Sequence, residues 1–195
     1  MKRILIVGGA NGIGLSVAQL LADRSETEHI CIVDKSPTDP ALVGHPKVQS
    51  VRFDLSADDY SLFDRFTDID TLLITAGMGR LALFRDISET DIVNYMNINA
   101  TSVMRIISHF YSRLESANDF RCGVMVSIAG FMSSPFFSVY AASKAALKVF
   151  IESVNVELEK AGTANRILNI SPGSIRGTRF GGAHKTDLEA KIGRA

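Results

Sequence analysis

The sequence predicts an α/β protein with a doubly wound parallel sheet, in three layers and a single domain. Short apolar runs rich in β-branched residues alternate with longer stretches whose apolar residues recur at helical spacing. A glycine-rich turn follows the first apolar run, and acidic, polar or small residues follow the ends of the later runs. In an open parallel sheet, ligands bind at the edge formed by the carboxyl ends of the strands. The pattern therefore predicts both a fold class and the place of its site.

The first strand leads into the glycine-rich turn. Ile4–Val7 has the composition of a buried parallel strand, and apolar residues between 13 and 21 follow at helical spacing. Gly8, Gly12 and Gly14 stand between the two. Such glycines allow a tight turn and a close backbone approach to a pyrophosphate at a helix N-terminus. A tight strand-to-helix connection that binds nothing is the alternative interpretation.

The second strand, Ile30–Val33, ends at Asp34, twenty residues after Gly14. A carboxylate at that point can accept hydrogen bonds from the adenosine ribose and repel a 2′-phosphate, which favours NAD over NADP. Lys35 is the complication, because a basic residue there could accept a phosphate and permit NADP. An ordinary turn residue at a strand end is the other interpretation of Asp34.

Four further strands complete the predicted sheet: Val48–Phe53, Thr71–Ile74, Gly123–Val126 and Arg166–Ser171. The residues that follow them are, in the same order, Asp54-Leu55, Thr75-Ala76-Gly77, Ser127 and Pro172-Gly173. Among these, Asp54 is a candidate for contacting the adenine. Strands that alternate with helices are joined by right-handed crossovers, which gives the sheet the Rossmann-type arrangement.

Tyr140 and Lys144 are candidates for acid–base chemistry. Positions four apart share one face of a helix, so the ammonium of Lys144 can lie beside the phenol of Tyr140. A neighbouring cation favours the phenolate and lowers the pKa of a tyrosine, which is otherwise about 10. Ser127 precedes Tyr140 by thirteen residues. Taken alone, the pair is a weak signal, and an interfacial tyrosine with a solvated lysine on an amphipathic helix is the alternative interpretation.

Together these motifs resemble the classical short-chain dehydrogenase/reductase family from about residue 3 to residue 178. The glycine turn matches the family's cofactor turn, although Val7 stands where threonine is usual. Thr75-Ala76-Gly77 resembles its Asn-Asn-Ala-Gly stretch, with Ile74 and Thr75 in place of the asparagines. The remaining matches are Asn99, Ser127, Tyr140, Lys144 and Pro172-Gly173, with Thr178 one residue later than usual.

The resemblance implies an NAD(P)-dependent alcohol dehydrogenase or ketoreductase acting on a carbonyl or secondary alcohol. Tyr140 would be the general acid/base, Lys144 would lower its pKa and hold the nicotinamide ribose, and Ser127 would polarise the substrate carbonyl. Asn99 would hold a water that relays protons. By the same resemblance, the dinucleotide would contact Gly8, Asn11, Gly12, Ile13, Gly14, Asp34, Asp54, Leu55, Ala76, Gly77, Tyr140, Lys144, Pro172, Gly173, Ile175 and Thr178. A non-catalytic dinucleotide-binding regulator or redox sensor is the alternative.

The composition argues against a nucleic-acid-binding, membrane-associated, disulfide-rich or metal-binding protein. The 195 residues are 46% hydrophobic and carry 21 basic and 21 acidic side chains, so nothing favours a nucleic acid or membrane partner. Cys31 and Cys122 provide no disulfide framework and are typical of a cytoplasmic protein. The four histidines are dispersed without ligand spacing, so no metal site is expected. We expect one domain over 1–195, with a substrate lid and tail at about 174–195.

Two helical stretches, Thr90–Leu114 and Ser138–Lys160, are apolar nearly all round. Such helices are usually covered on both faces, and in the resembled family they pair across a dimer axis. We therefore expect a homodimer or homotetramer, the alternative being a monomer whose helices cover one another.

The substrate pocket and the end of the sheet leave alternatives open. Residues 130–137 include three phenylalanines and a methionine, which favour an apolar ketone or alcohol as strongly as they favour core packing. The family continues to a seventh strand that this chain is expected to lack, either as a compact variant or because its C-terminus is missing.

Overall fold

The computed structural model describes residues 1–173 and residue 175. Six parallel strands form one sheet in the order β3-β2-β1-β4-β5-β6. In chain order they are β1 (Arg3–Val7), β2 (His29–Asp34), β3 (Val48–Arg52), β4 (Thr71–Ile74), β5 (Arg121–Met125) and β6 (Ile167–Ile170). The predicted doubly wound parallel sheet is confirmed. Of the expected tail, only Ile175 is described, so Thr178 and the region of a seventh strand lie outside the described residues.

Four α-helices accompany the described strands: α1 (Gly12–Ala22), α2 (Glu89–Met96), α3 (Ser102–Leu114) and α4 (Ser138–Lys160). Short 3-10 turns occur at Ser61–Arg65, Phe84–Asp86 and Ile128–Gly130. The helical stretch predicted near Thr90–Leu114 is continuous from Glu89 to Leu114, with a π turn at Asn97–Thr101 between α2 and α3. A π turn inserts an extra residue, and such turns are frequent at functional sites. No helix in the described part of the chain is long and apolar enough to cross a membrane.

The predicted alternation of strands and helices is wrong between β2 and β4. The connection from β2 to β3 contains turns and no helix. Its prolines at 37, 40 and 46 oppose a helix, and Gly44 adopts a positive φ of 78°. Between β3 and β4 the chain forms only the 3-10 turn Ser61–Arg65. The connections that follow β2 and β3 are therefore loops with short turns and contain no α-helix.

Two buried cores cover the two faces of the sheet. Ile4 and Ile6 of β1 pack in one core with α1, whereas Leu5 and Val7 pack in the other with α3 and α4. Successive side chains of a strand point to opposite faces, so a strand buried on both faces is apolar throughout. The resulting three layers align the carboxyl ends of all six strands along one edge, which is where the site forms.

Candidate active site

A cleft of about 950 Å³ runs along the carboxyl edge of the sheet. It brings together every predicted site residue that the structure describes, except Asn99. Those residues are Gly8, Asn11, Gly12, Ile13, Gly14, Asp34, Asp54, Leu55, Ala76, Gly77, Ser127, Tyr140, Lys144, Pro172, Gly173 and Ile175. Residues from the ends of all six strands thus line one cleft.

The glycine turn packs directly against the chain that follows β4. Gly8 has a φ of 90°, and a Cβ atom on it would lie 2.4 Å from the amide nitrogen of Ala76. A Cβ on Gly14 would lie 2.3 Å from the carbonyl oxygen of Gly8 and 2.4 Å from Oγ1 of Thr75. Any larger residue at either position would push the two segments apart. Glycine is therefore required here by packing within the protein as well as by access for a ligand.

Thr75 replaces one of the asparagines of the resembled family, and its hydroxyl links β1 to β4. Oγ1 of Thr75 lies 3.1 Å from the carbonyl oxygen of Val7 and 3.0 Å from that of Gly8, to which it donates. The amide of Thr75 also donates to Val7. The threonine thus holds the glycine turn in place across the strand ends.

The N-terminus of α1 faces the cleft at Gly12. Asn11 makes no side-chain capping bond there, and the first turn holds no acidic residue. The amides of a first helical turn lack intrahelical acceptors, and the helix dipole adds partial positive charge at that end. The exposed donors of this turn fit an anionic group such as a pyrophosphate.

Two carboxylates and a lysine mark the cleft near β2 and β3. Asp34 accepts hydrogen bonds from the amides of Ala10 (3.0 Å) and Ser36 (2.9 Å), which fix its orientation. The amide and hydroxyl of Ser56 donate to Asp54 and hold the pKa of its carboxyl below the ordinary value, and the nearby charge of Lys35 acts in the same direction. Lys35, which complicates the preference for NAD, also lines this end.

Ser127 and Tyr140 meet because the turn after β5 packs on α4. A Cβ atom on Gly130 would lie 2.9 Å from the backbone of Lys144, so the absence of a side chain permits this approach. The hydroxyl of Ser127 hydrogen-bonds the side chain of Tyr140 and also accepts from the amide of Ala129 at 3.2 Å. The structure therefore brings the serine and the tyrosine together on the wall of the cleft.

The prediction that Lys144 lowers the pKa of Tyr140 is wrong for this structure, in which that pKa is raised. Burial raises that pKa above its ordinary value, the Ser127 hydrogen bond lowers it, and the nearby Tyr95 raises it again. Lys144 lies on the same side of α4, with its Nζ 5.9 Å from the centre of the tyrosine ring. Desolvation outweighs the effect expected of the ammonium, because burial penalises a phenolate.

Lys144 is buried against the end of β5. Only 3% of it is exposed, and its Nζ donates to the carbonyl oxygen of Met125 at 2.9 Å. Burial lowers the pKa of this lysine from 10.5 to about 8. The ammonium form therefore persists at neutral pH but is lost in mildly alkaline solution.

The lowered pKa of Lys144 predicts a pH-dependent stability. Between about 8 and 10.5 the unfolded chain holds a proton that the folded chain has released. The free energy of unfolding therefore rises with pH across that window, by at most about 1.4 kcal/mol per pH unit. Chemical denaturation at several pH values measures it.

The matched control for this prediction is Lys144→Met, which keeps the length of the side chain without the ammonium. Cys31 and Cys122 have pKa values raised by burial to about 11 and 12, but they affect both chains equally. The stability of the wild type relative to the variant should rise with pH. A constant or falling difference would contradict the burial of a charged lysine.

Asn99 is fully buried and does not line the cleft. Its Oδ1 accepts from the amide of Met78 (2.8 Å), and its Nδ2 donates to the carbonyl of Met78 (2.9 Å) and to Oγ of Ser143 (3.0 Å). Ser143 in turn donates to the carbonyl of Tyr140 at 2.7 Å. The carboxamide thus ties the loop after β4 to α4.

The segment predicted to line the substrate pocket does so only in part. Of residues 130–137, Met132, Ser134 and Phe137 line the cleft. Phe131 is 55% exposed, and its ring centre lies 5.1 Å from Nζ of Lys148. The sequence reasoning missed Met78 and Leu81, which line the cleft from an irregular loop. The sequence of that loop has no helical or strand periodicity from which the side chains that face the cleft could be predicted.

The sheet order, the glycine turn after β1 and the serine–tyrosine–lysine arrangement after β5 define a Rossmann-type α/β protein with a polar centre in its cleft. The sequence profile of the short chain dehydrogenase family matches residues 2–189. The chain therefore belongs to that family, and the resemblance seen in its motifs is confirmed.

Individual relatives support the assignment. Dehydrogenase RED2 of Cochliobolus heterostrophus is 30% identical over 170 residues, which cover 84% of this chain and 63% of that protein. The chain spans 56–63% of the length of that and three further curated relatives that it matches.

Solved structures share the fold at low identity. An alcohol dehydrogenase from Thermococcus sibiricus, complexed with 5-hydroxy-NADP, superposes with a TM-score of 0.77 and 20% identity, covering 94% of this chain and 80% of that one. A 4-hydroxyisoleucine dehydrogenase, complexed with NADH and succinate, superposes with a TM-score of 0.73 and 22% identity, covering 98% of this chain and 89% of that one. At such identities the likeness establishes the fold.

Proposed function

We propose that the chain is an NAD(P)-dependent oxidoreductase that moves a hydride between nicotinamide and a carbonyl or secondary alcohol. The meeting of Ser127, Tyr140 and Lys144 on the wall of a cleft that also holds the glycine turn and the uncapped N-terminus of α1 carries this proposal. Family membership supports the same reading.

The described residues fit a dinucleotide. The first turn of α1 would hold the pyrophosphate, Asp34 the adenosine ribose, and Lys144 the nicotinamide ribose. The bound cofactor supplies the hydride, and the protein supplies position and electrostatics. We propose NAD as the preferred form, because the Asp34 carboxylate would oppose a 2′-phosphate. Among the solved relatives, one is complexed with NADH and another with a modified NADP.

Tyr140 would donate its phenolic proton to the substrate oxygen as the carbonyl carbon is reduced. Its raised pKa keeps the phenol protonated at neutral pH, which is the form that reduction consumes. Ser127 would hold the same oxygen and orient the carbonyl. In the oxidative direction Tyr140 would take the proton back from the alcohol. Positioned proton transfer of this kind typically accelerates a reaction about 10²- to 10⁴-fold.

Asn99 is proposed to act as a positioning residue. Its three hydrogen bonds hold Met78, which lines the cleft, and Ser143, which adjoins Lys144. A Cβ on Gly77 would lie 3.3 Å from Oδ1 of Asn99 and 3.5 Å from Nζ of Lys144. The carboxamide thereby sets the distance between the loop after β4 and the helix that carries the catalytic pair.

Isotope transfer tests the proposed reaction. With NADH carrying deuterium at the transferred position and a simple methyl ketone, the alcohol product should carry one deuterium at the carbinol carbon by mass spectrometry. Binding of NADH without transfer to any ketone would contradict the enzyme assignment. That result would instead favour a dinucleotide-binding regulator.

We also propose that the chain forms a homodimer or homotetramer. Apolar residues remain exposed on the two helical stretches expected to pair, with Val93 exposed by 55%, Val149 by 57% and Val156 by 51%. Burying such side chains against a second copy is favourable, at about 25 cal/mol per Å². Light scattering should give two or four times the mass of one chain. The mass of a single chain would contradict the proposal.

A further inference from the structure

We infer that the substrate end of the cleft is built for a neutral, apolar ketone or secondary alcohol and excludes anionic ones. The inference rests on the proposed function and names its substrate class. It is carried by the separation of charged from apolar side chains along the cleft.

The charged lining residues are confined to one end and the centre. Asp34 and Lys35 follow β2, and Asp54 follows β3. Ser127 follows β5, three strands away from β2 in the sheet. Neighbouring strands lie about 4.8 Å apart, so this separation is roughly 14 Å. The charges thus suit the adenosine part of a dinucleotide and are remote from the reacting carbonyl.

Beyond Ser127 and Tyr140 the described lining is apolar. It consists chiefly of Leu81, Ile128, Met132 and Phe137. Ser134 contributes one polar side chain. The nearest charged lining group is Lys144, which is 3% exposed and already donates to Met125. Among the described residues of this end, a substrate carboxylate would lose its hydration and meet no cation other than the buried Lys144, which is strongly unfavourable.

Two of these apolar side chains are unusually open to solvent. Ile128 is 44% exposed and Met132 60%. Large apolar groups that converge on a cleft mark a binding surface, because a ligand that covers them removes apolar area from water. Because these side chains lie near Ser127, they would contact the part of the substrate that is attached to the carbonyl.

The loops that carry this surface are anchored. The amide of Ala82 donates to the carbonyl of Phe136 at 2.9 Å, which joins the loop after β4 to the loop before α4. Phe136 has a φ of 65°, a conformation that is uncommon for a bulky residue. The ring of Phe137 lies 5.7 Å from that of Tyr140. An apolar wall is thus fixed beside the proton donor.

A matched substrate series tests the inference. Methyl alkyl ketones of increasing chain length are compared with the same ketones carrying a terminal carboxylate, with NADH as the reductant. For the neutral series, kcat/KM should rise about fourfold for each added methylene that is buried. Each carboxylate analogue should be at least about 100-fold poorer than its neutral partner. Equal or better turnover of the carboxylates would overturn the inference.

Met132→Lys places a cation on the apolar wall and should reduce the preference for the neutral ketone at least about tenfold. Leu20→Lys changes a similarly exposed apolar residue (68%, against 60% for Met132) on α1 outside the cleft and should leave the preference unchanged. An unchanged preference in Met132→Lys would count against the proposed wall.

A binding measurement separates this inference from the proposed reaction. In protein with methyl-labelled methionine and bound NADH, a neutral ketone should shift the Met132 signal, assigned by its loss in Met132→Leu. The carboxylate analogue should not shift it. A shift without any turnover would support the apolar site while contradicting the oxidoreductase proposal. No shift with either ketone would overturn the inference itself.

Discussion

Tyr140→Phe should lower kcat for ketone reduction by about 10²- to 10⁴-fold while leaving NADH binding nearly unchanged. The substitution removes one oxygen and keeps the ring, which packs with Tyr95 and Val139 in a small buried cluster. The hydroxyl that it removes is the partner of Ser127 and the proposed proton donor. Steady-state kinetics and calorimetric titration with NADH, performed on the same preparations, measure the two effects separately.

Tyr111→Phe is the matched control, since it removes a phenolic hydroxyl from α3 at a position that does not line the cleft. Its kcat should stay close to that of the wild type. Activity retained in Tyr140→Phe would refute the proton-donor role. A loss of NADH affinity equal to the loss of activity would show that the hydroxyl serves binding and not proton transfer.

Asp34→Asn should change the ratio of NADH to NADPH affinity by about 100-fold in favour of NADPH. The carboxylate would repel a 2′-phosphate, and removing one such juxtaposition typically changes binding by more than about 1.4 kcal/mol, or tenfold. A charged acceptor for the ribose hydroxyls is lost at the same time, which is worth a similar amount for NADH. Lys35 remains on the cleft and would then face the phosphate without opposition.

Asp54→Asn provides the comparison for Asp34→Asn. Asp54 also lines the adenosine end, but it follows β3 and is held by Ser56. Removing its charge should alter the ratio far less, because the proposed ribose contact belongs to Asp34. Equal effects of the two variants would mean that the total charge of this end, and not the Asp34 contact, determines the preference.

The site could be predicted where chemistry follows local spacing. Tyr140 and Lys144 share a face because they are four residues apart on a helix, and α4 has the bounds that the sequence predicted. The position of Asp34 on the cleft follows from the sequence because a buried apolar strand ends at this charged residue. The ends of the strands therefore predict most of the cleft lining.

The remaining features depend on packing between distant segments. The pKa of Tyr140 is raised chiefly by burial, and one of the residues packed against it is Tyr95 from α2. Asn99 does not line the cleft, and Met78, twenty-one residues earlier, hydrogen-bonds both the oxygen and the nitrogen of its carboxamide. Leu81 lines the cleft from a loop without periodicity. No local pattern carries such information, since each feature requires two segments to be placed together.

The most direct test of the central claim is a calorimetric titration of the purified chain with NADH and, separately, with NADPH. The first turn of α1, Asp34 and Lys144 together predict one site per chain that binds NADH more tightly than NADPH. Tighter binding of NADPH would contradict the assigned role of Asp34 alone. Binding of neither dinucleotide would contradict the proposal that this cleft serves hydride transfer.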